Sequence, residues 1–141
     1  MAVRFETRKD RVREEKAMKA FCSLYGGRYV KLGEWDIDFR YIGDDNKTKA
    51  FIEVKGRLRP MAEAFPLPVA ARKLIKLADK EMNPMLMWAC EDGIIYGRLE
   101  DINGVTRWGG RKARKQATND QEVMCYYSEQ AGLKMIRYTT T

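Results

Sequence analysis

Asp38, Glu53 and Lys55 give this chain of 141 residues its clearest capacity for chemistry. Asp38 lies in EWDIDFRYI (34–42), where Trp35, Ile37, Phe39 and Tyr41 alternate with Asp36, Asp38 and Arg40. That period of two predicts a β-strand. Glu53 and Lys55 stand two apart in KAFIEVK (49–55) and so share one face of a second strand, flanked by Phe51, Ile52 and Val54. Gly43-Asp44-Asp45-Asn46-Lys47 between them is a turn cluster, which predicts an antiparallel hairpin. Charged groups inside such a strand need compensation, because burying unpaired charge is costly. A divalent cation supplies it. Mg²⁺ takes oxygen ligands in an octahedron, commonly one or two carboxylates plus phosphate and water. Asp38 and Glu53 would offer the carboxylates and the backbone carbonyl of Val54 a third oxygen, with Mn²⁺ as a substitute metal. Lys55 would orient or help deprotonate an attacking water, or stabilise negative charge at phosphorus. The plainer alternative is a solvent-facing strand pair holding a Glu53–Lys55 or Asp38–Lys55 ion pair of little energetic consequence.

The composition narrows the mechanism. The chain has no histidine. Ser-His-Asp and Cys-His hydrolysis, histidine-ligated zinc and a histidine general base are therefore excluded. The charge sum, 27 − 20 = +7, favours a polyanionic partner, nucleic acid first. Hydrophobic residues at 45% and charged residues at 33% fit a soluble globular protein. The length fits a single domain over 1–141. Cys22, Cys90 and Cys125 are odd in number and lack metal-site spacing, so they read as reduced thiols. No apolar run reaches membrane-spanning length and no signal pattern opens the chain. A cytoplasmic protein without a membrane partner is expected.

Elements must hold the three residues in place. Val12, Ala17, Met18, Phe21 and Leu24 predict a helix over 8–25, ended by Gly26-Gly27. A short strand at 28–32 precedes the hairpin. The stretch 56–68, with Pro60, Pro66 and Pro68, reads as a loop, and a helix follows at about 69–81. MLMWAC (85–90) and IIYGRL (94–99) read as buried strands joined by a turn. Residues 103–121 are polar and basic without periodicity, which predicts an exposed loop. Two further strands close the chain over 122–138. The fold class is α/β with a mixed sheet flanked by helices.

The run WDIDFRYIGDDNKTKAFIEVKGR resembles the active-site hairpin of the PD-(D/E)xK nuclease superfamily, which has the restriction-endonuclease-like fold. Its pattern is an Asp opening a hydrophobic strand, a variable gap, then Glu-x-Lys inside the next strand. The gap here is 53 − 38 = 15. The resemblance covers about 8–100 and implies an α-β-β-β-α-β core that cuts phosphodiesters with a divalent metal. The proline that names the pattern is absent. Asp36 shares the strand face with Asp38, but Asp38, followed by Phe-Arg-Tyr-Ile, fits the strand-opening position better. Many members carry a metal-linked Glu on the first helix. Glu14 fits ahead of Glu15, because it lies three, four and seven residues before Ala17, Met18 and Phe21. The resemblance also makes Lys73 on the second helix a helper. Small members of this kind occur in phages, as endonucleases or junction resolvases.

RWGGRKARK (107–115) supplies a nucleic-acid clamp. Arg107, Arg111, Lys112, Arg114 and Lys115 would hold phosphates, and Trp108 would stack on a base or sugar. Arg57 and Arg59, just past the second strand, extend that basic surface. The expected activity is metal-dependent hydrolysis of DNA rather than RNA. One small domain has little surface for reading sequence, so cutting would be structure-selective or non-specific, with a homodimer as one arrangement. The alternative is a non-catalytic nucleic-acid-binding domain of the same fold.

Overall fold

Helix α1 (Arg8–Tyr25) forms where the sequence places it. Its buried stripe is Glu14, Ala17, Met18 and Phe21, at helical spacing. Val12 and Leu24, expected on that stripe, are exposed. Val12 sits about 140° round the helix from Ala17, on the far side from the sheet. Gly26 and Gly27, with φ of 79° and 76°, turn the chain out of the helix. A Cβ on Gly27 would lie 2.2 Å from the Ile42 carbonyl oxygen, so no other residue fits.

The computed structural model describes residues 8–33, 37–80, 82–110 and 121–139. After α1 come β1 (Arg28–Lys31), β2 (Phe39–Ile42), β3 (Thr48–Gly56), a 3₁₀ turn at Met61–Glu63 and β4 (Leu67–Ala70). Helix α2 (Ala71–Ala78) follows, then β5 (Pro84–Ala89), β6 (Gly93–Arg98), β7 (Val105–Gly110), β8 (Gln121–Tyr127) and β9 (Lys134–Arg137). Six strands form one sheet in the order β1-β2-β3-β5-β6-β9, and β4-β8-β7 form a second. Strands β3 and β5 are parallel, with β4 and α2 in the crossover between them; the other neighbours are antiparallel. The mixed sheet and the order α1-β1-β2-β3-α2-β5, with β4 inserted before α2, fit a restriction-endonuclease-like core.

The main sheet is covered on both faces. Phe39, Ile52, Val54, Met87 and Ile94 pack with Ala17, Met18 and Phe21 of α1. From the other face Leu86, Trp88 and Ile95 pack with Leu67, Val69, Leu77 and Tyr127. Double cover is why β5 and β6 read as continuous apolar runs. The Trp88 indole N–H donates to the Pro68 carbonyl at 3.1 Å and ties the layers together.

Four expectations change. The strand expected over 34–42 is paired only from Phe39, and residues 34–36 lie outside the described ones. Ile37 packs on the layer opposite Phe39 and Tyr41, so the alternation breaks at Asp38. The helix expected over 69–81 starts at Ala71, because Leu67 and Val69 are buried as a strand paired to distant β8. The loop expected over 103–121 contains β7, paired residue for residue with β8. Its outward side chains erase the apolar periodicity that marks a strand. Residues 111–120 lie outside the described ones.

Candidate active site

Strands β2 and β3 pair in a register that sets Phe39 against Ile52 and Arg40 against Phe51. One step beyond Phe39 and Ile52, Asp38 and Glu53 stand across from each other. The ladder ends there for a local reason. The Val54 N–H donates to Asp38 Oδ2 at 2.8 Å, so a carboxylate takes the place of a strand carbonyl. The Leu32 N–H donates to the Asp38 carbonyl at 3.0 Å, which fixes the same residue from the β1 side.

Glu53 is 4% exposed, which overturns the reading of a solvent-facing strand pair. Phe51, Glu53 and Lys55 alternate with Ile52 and Val54, and Phe51 packs against the layer opposite α1. Lys55 Nζ lies 3.5 Å from Glu53 Oε2, and its side chain keeps 22% exposure. Burial, and then the charge of Glu53, push the Asp38 carboxyl up from 3.8 to about 6. The Val54 N–H, Lys31 and Lys55 oppose that rise without cancelling it. The fold thus forces two acids together, and the two nearby lysines do not bring the Asp38 carboxyl back to its ordinary range.

That donor set fits a hard divalent cation. The PD-(D/E)xK nucleases usually use such metals. Among the described residues no group of three or more His, Cys, Asp or Glu side chains gathers. Two carboxylates are the number Mg²⁺ commonly accepts, with carbonyl, water and phosphate oxygens filling the octahedron. Asp36 lies outside the described residues.

Glu14 is 8% exposed and Glu15 is exposed, so Glu14 is not a surface acid. It belongs to the α1 layer, whereas Glu53 and Lys55 project from the opposite face of β3. Lys31 was not foreseen. Its Nζ lies 3.9 Å from Asp38 Oδ1 and 5.0 Å from the centre of the Phe39 ring. The sequence showed a short strand at 28–32 but not the register that sets Lys31 against Phe39.

The expected nucleic-acid contacts divide. Arg57 donates through Nε to the Ala64 carbonyl at 2.9 Å and through Nη2 to that of Pro66 at 3.3 Å. It holds the loop before β4, so part of its donor fork is committed within the protein. Lys73 is half-buried on α2, and its neighbour Arg72 pairs with Glu122 of β8 at 2.9 Å. The Arg107 guanidinium lies 4.3 Å over the Tyr126 ring. Trp108 is 62% exposed, with its indole N–H on Gln121 Oε1 at 2.9 Å. Arg111, Lys112, Arg114 and Lys115 lie outside the described residues.

A family model described as "Phage putative PDDEXK endonuclease" matches residues 1–131. The match passes well beyond the 8–100 of the motif resemblance and takes in β7 and β8 of the second sheet. No curated protein and no solved structure matches the chain. The Asp38–Glu53–Lys55 grouping around a buried Glu53 and a match over nearly the whole length agree, and the chain belongs to this phage PD-(D/E)xK endonuclease family.

Proposed function

We propose that the protein is a Mg²⁺-dependent endonuclease that hydrolyses phosphodiester bonds in DNA, structure-selectively or without sequence preference. One observation carries the reading. A 4%-exposed Glu53 stands against an Asp38 whose carboxyl is pushed up to about 6, with a lysine 3.5 Å from Glu53. Such crowding is unfavourable in the protein alone and turns favourable when a cation is shared.

Bound Mg²⁺ supplies Lewis acidity toward a phosphoryl oxygen and makes water a better nucleophile at neutral pH. Asp38, Glu53 and the Val54 carbonyl would hold it. The Val54 amide and the Leu32 amide keep Asp38 in one position, so little reorganisation is needed. The Lys55 ammonium offsets the Glu53 charge at rest. With substrate in place it orients the attacking water and stabilises the charge that grows on the phosphate oxygens. Lys73 would assist from α2, whereas Glu14, on the α1 side of the sheet, falls outside this set. Arg107 and Trp108, with Arg57, Arg111, Lys112, Arg114 and Lys115, would contact the nucleic acid around the cut. A homodimer would let two sites cut both strands.

Plasmid nicking tests this. With Mg²⁺ the protein converts supercoiled DNA to nicked and linear forms, and EDTA stops it. Asp38→Ala lowers the rate by at least about 10³-fold and Lys55→Ala by about 10²-fold. Equal nicking by all three proteins would end the assignment. DNA binding without nicking by any of them would favour the non-catalytic alternative.

A further inference from the structure

A second basic surface outside the site lies on α1. A groove of about 610 Å³ runs between the first turns of α1 and the chain leaving β3 and β5. Arg8, Lys9, Arg13 and Lys16 line it, and Glu91 is the one carboxylate among the described lining residues, so its balance is 4 − 1 = +3. Lys9, Arg13 and Lys16 are four and three apart and stack on one helix face. From Arg8 to Lys16 the helix axis advances about 12 Å. That equals three to four nucleotides of one strand at about 3.4 Å each.

Two contacts make this more than a charged helix surface. Lys16 Nζ sits 4.3 Å over the Tyr138 ring. The Tyr138 hydroxyl at the groove is buried with no hydrogen-bond partner among the described residues. It is a donor that meets no acceptor among the described residues. Arg13, which also pairs with Asp10 at 3.1 Å, reaches from the groove to the backbone at the end of β3. A Cβ on Gly56 would lie 3.0 Å from Arg13 Nη1, and Gly56 is the residue after Lys55.

We propose that this groove carries the phosphate backbone of duplex DNA flanking the cut, over about three phosphates. The identity of the polyanion rests on the nuclease reading; the groove rests on its own charge and shape. Contacts of this type give affinity and register without reading bases. They also release counterions, so each phosphate contact adds about 0.9 to the slope of log affinity against log salt.

The test is anisotropy of a labelled 25-base-pair duplex in EDTA, where no cutting occurs, between 50 and 200 mM salt. Lys9→Ala/Lys16→Ala is expected to lower the slope by about two and the affinity at least tenfold. Lys47→Ala, in the exposed 44–47 turn, leaves both unchanged. Lys9→Arg/Lys16→Arg keeps the wild-type slope, which separates lost charge from lost folding. Tyr138→Phe weakens binding severalfold at an unchanged slope. Wild-type binding with an unaltered slope in the alanine variant would overturn the groove alone. Absence of wild-type DNA binding would overturn the nucleic-acid reading with it. Binding to phosphatidylserine vesicles that the alanine variant loses, with its DNA slope intact, would also overturn the proposal.

Discussion

The β2–β3 hairpin carries its charged side chains into a sheet covered on both faces, whereas the β7–β8 hairpin carries its own into solvent. In the first, Glu53 is almost fully buried and Asp38 is held by backbone amides. In the second, Val105, Trp108 and Val123 are exposed, and Arg107 stacks on Tyr126 at the surface. Both are antiparallel ladders of similar length, so local structure does not separate them. What separates them is cover. The first hairpin lies within a six-stranded sheet; the second edges a three-stranded sheet, and its own buried residues, Cys125 and Tyr127, face β4 partners. Burial converts a charged residue into a reactive group by raising the cost of its charge. Exposure leaves a charged or aromatic residue free to adhere, worth little to stability and something to binding.

Neutralising one charge in each hairpin is the sharpest way to break this contrast. Asp38 has its folded-state carboxyl raised to about 6 from 3.8, so the folded protein binds that proton more tightly than the unfolded chain does. Stability is greatest below pH 4 on this account and falls as pH rises toward 6. Above pH 6 the metal-free fold bears a penalty of about 3 kcal/mol. Asp38→Asn is therefore expected to raise metal-free stability at pH 7.5 by up to that amount, read as a higher urea midpoint. Arg107→Gln should leave the midpoint unchanged. Adding Mg²⁺ should stabilise the wild type and not Asp38→Asn. A less stable Asp38→Asn protein in EDTA would contradict the burial account.

The exposed hairpin should answer in binding instead. Trp108→Ala is expected to weaken duplex affinity about tenfold, from the loss of about 1–3 kcal/mol of stacking. Its urea midpoint should stay within about 0.5 kcal/mol of wild type. The reverse result, stability lost and affinity kept, would place Trp108 in the framework and not the interface. The smallest effect belongs to Lys31, at 3.9 Å from Asp38 and partly exposed. Its charge lowers the Asp38 carboxyl, so Lys31→Ala should move the acid limb of the pH–rate profile to higher pH by a few tenths, with stability changed by less than about 1 kcal/mol.

The sequence alone determined the helix over Arg8–Tyr25, the hairpin that brings Glu53 and Lys55 to one strand face, and the buried strand character of the runs at Met85 and Ile94. Each of these is written in short-range periodicity. The pairing of acids with Glu-x-Lys, and the absence of histidine, likewise point to metal-assisted phosphodiester chemistry. Only the tertiary structure decided that the ladder stops at Asp38, that Lys31 joins the site, that Arg57 is committed to loop carbonyls and that 105–110 is a strand. Those facts depend on contacts between residues distant in the chain. Lys31 reaches Asp38 through β1 pairing, Val69 becomes a strand residue because β8 lies beside it, and Trp108 stays exposed because no layer covers it. Periodicity records which face of an element is apolar; it does not record which distant element will cover that face.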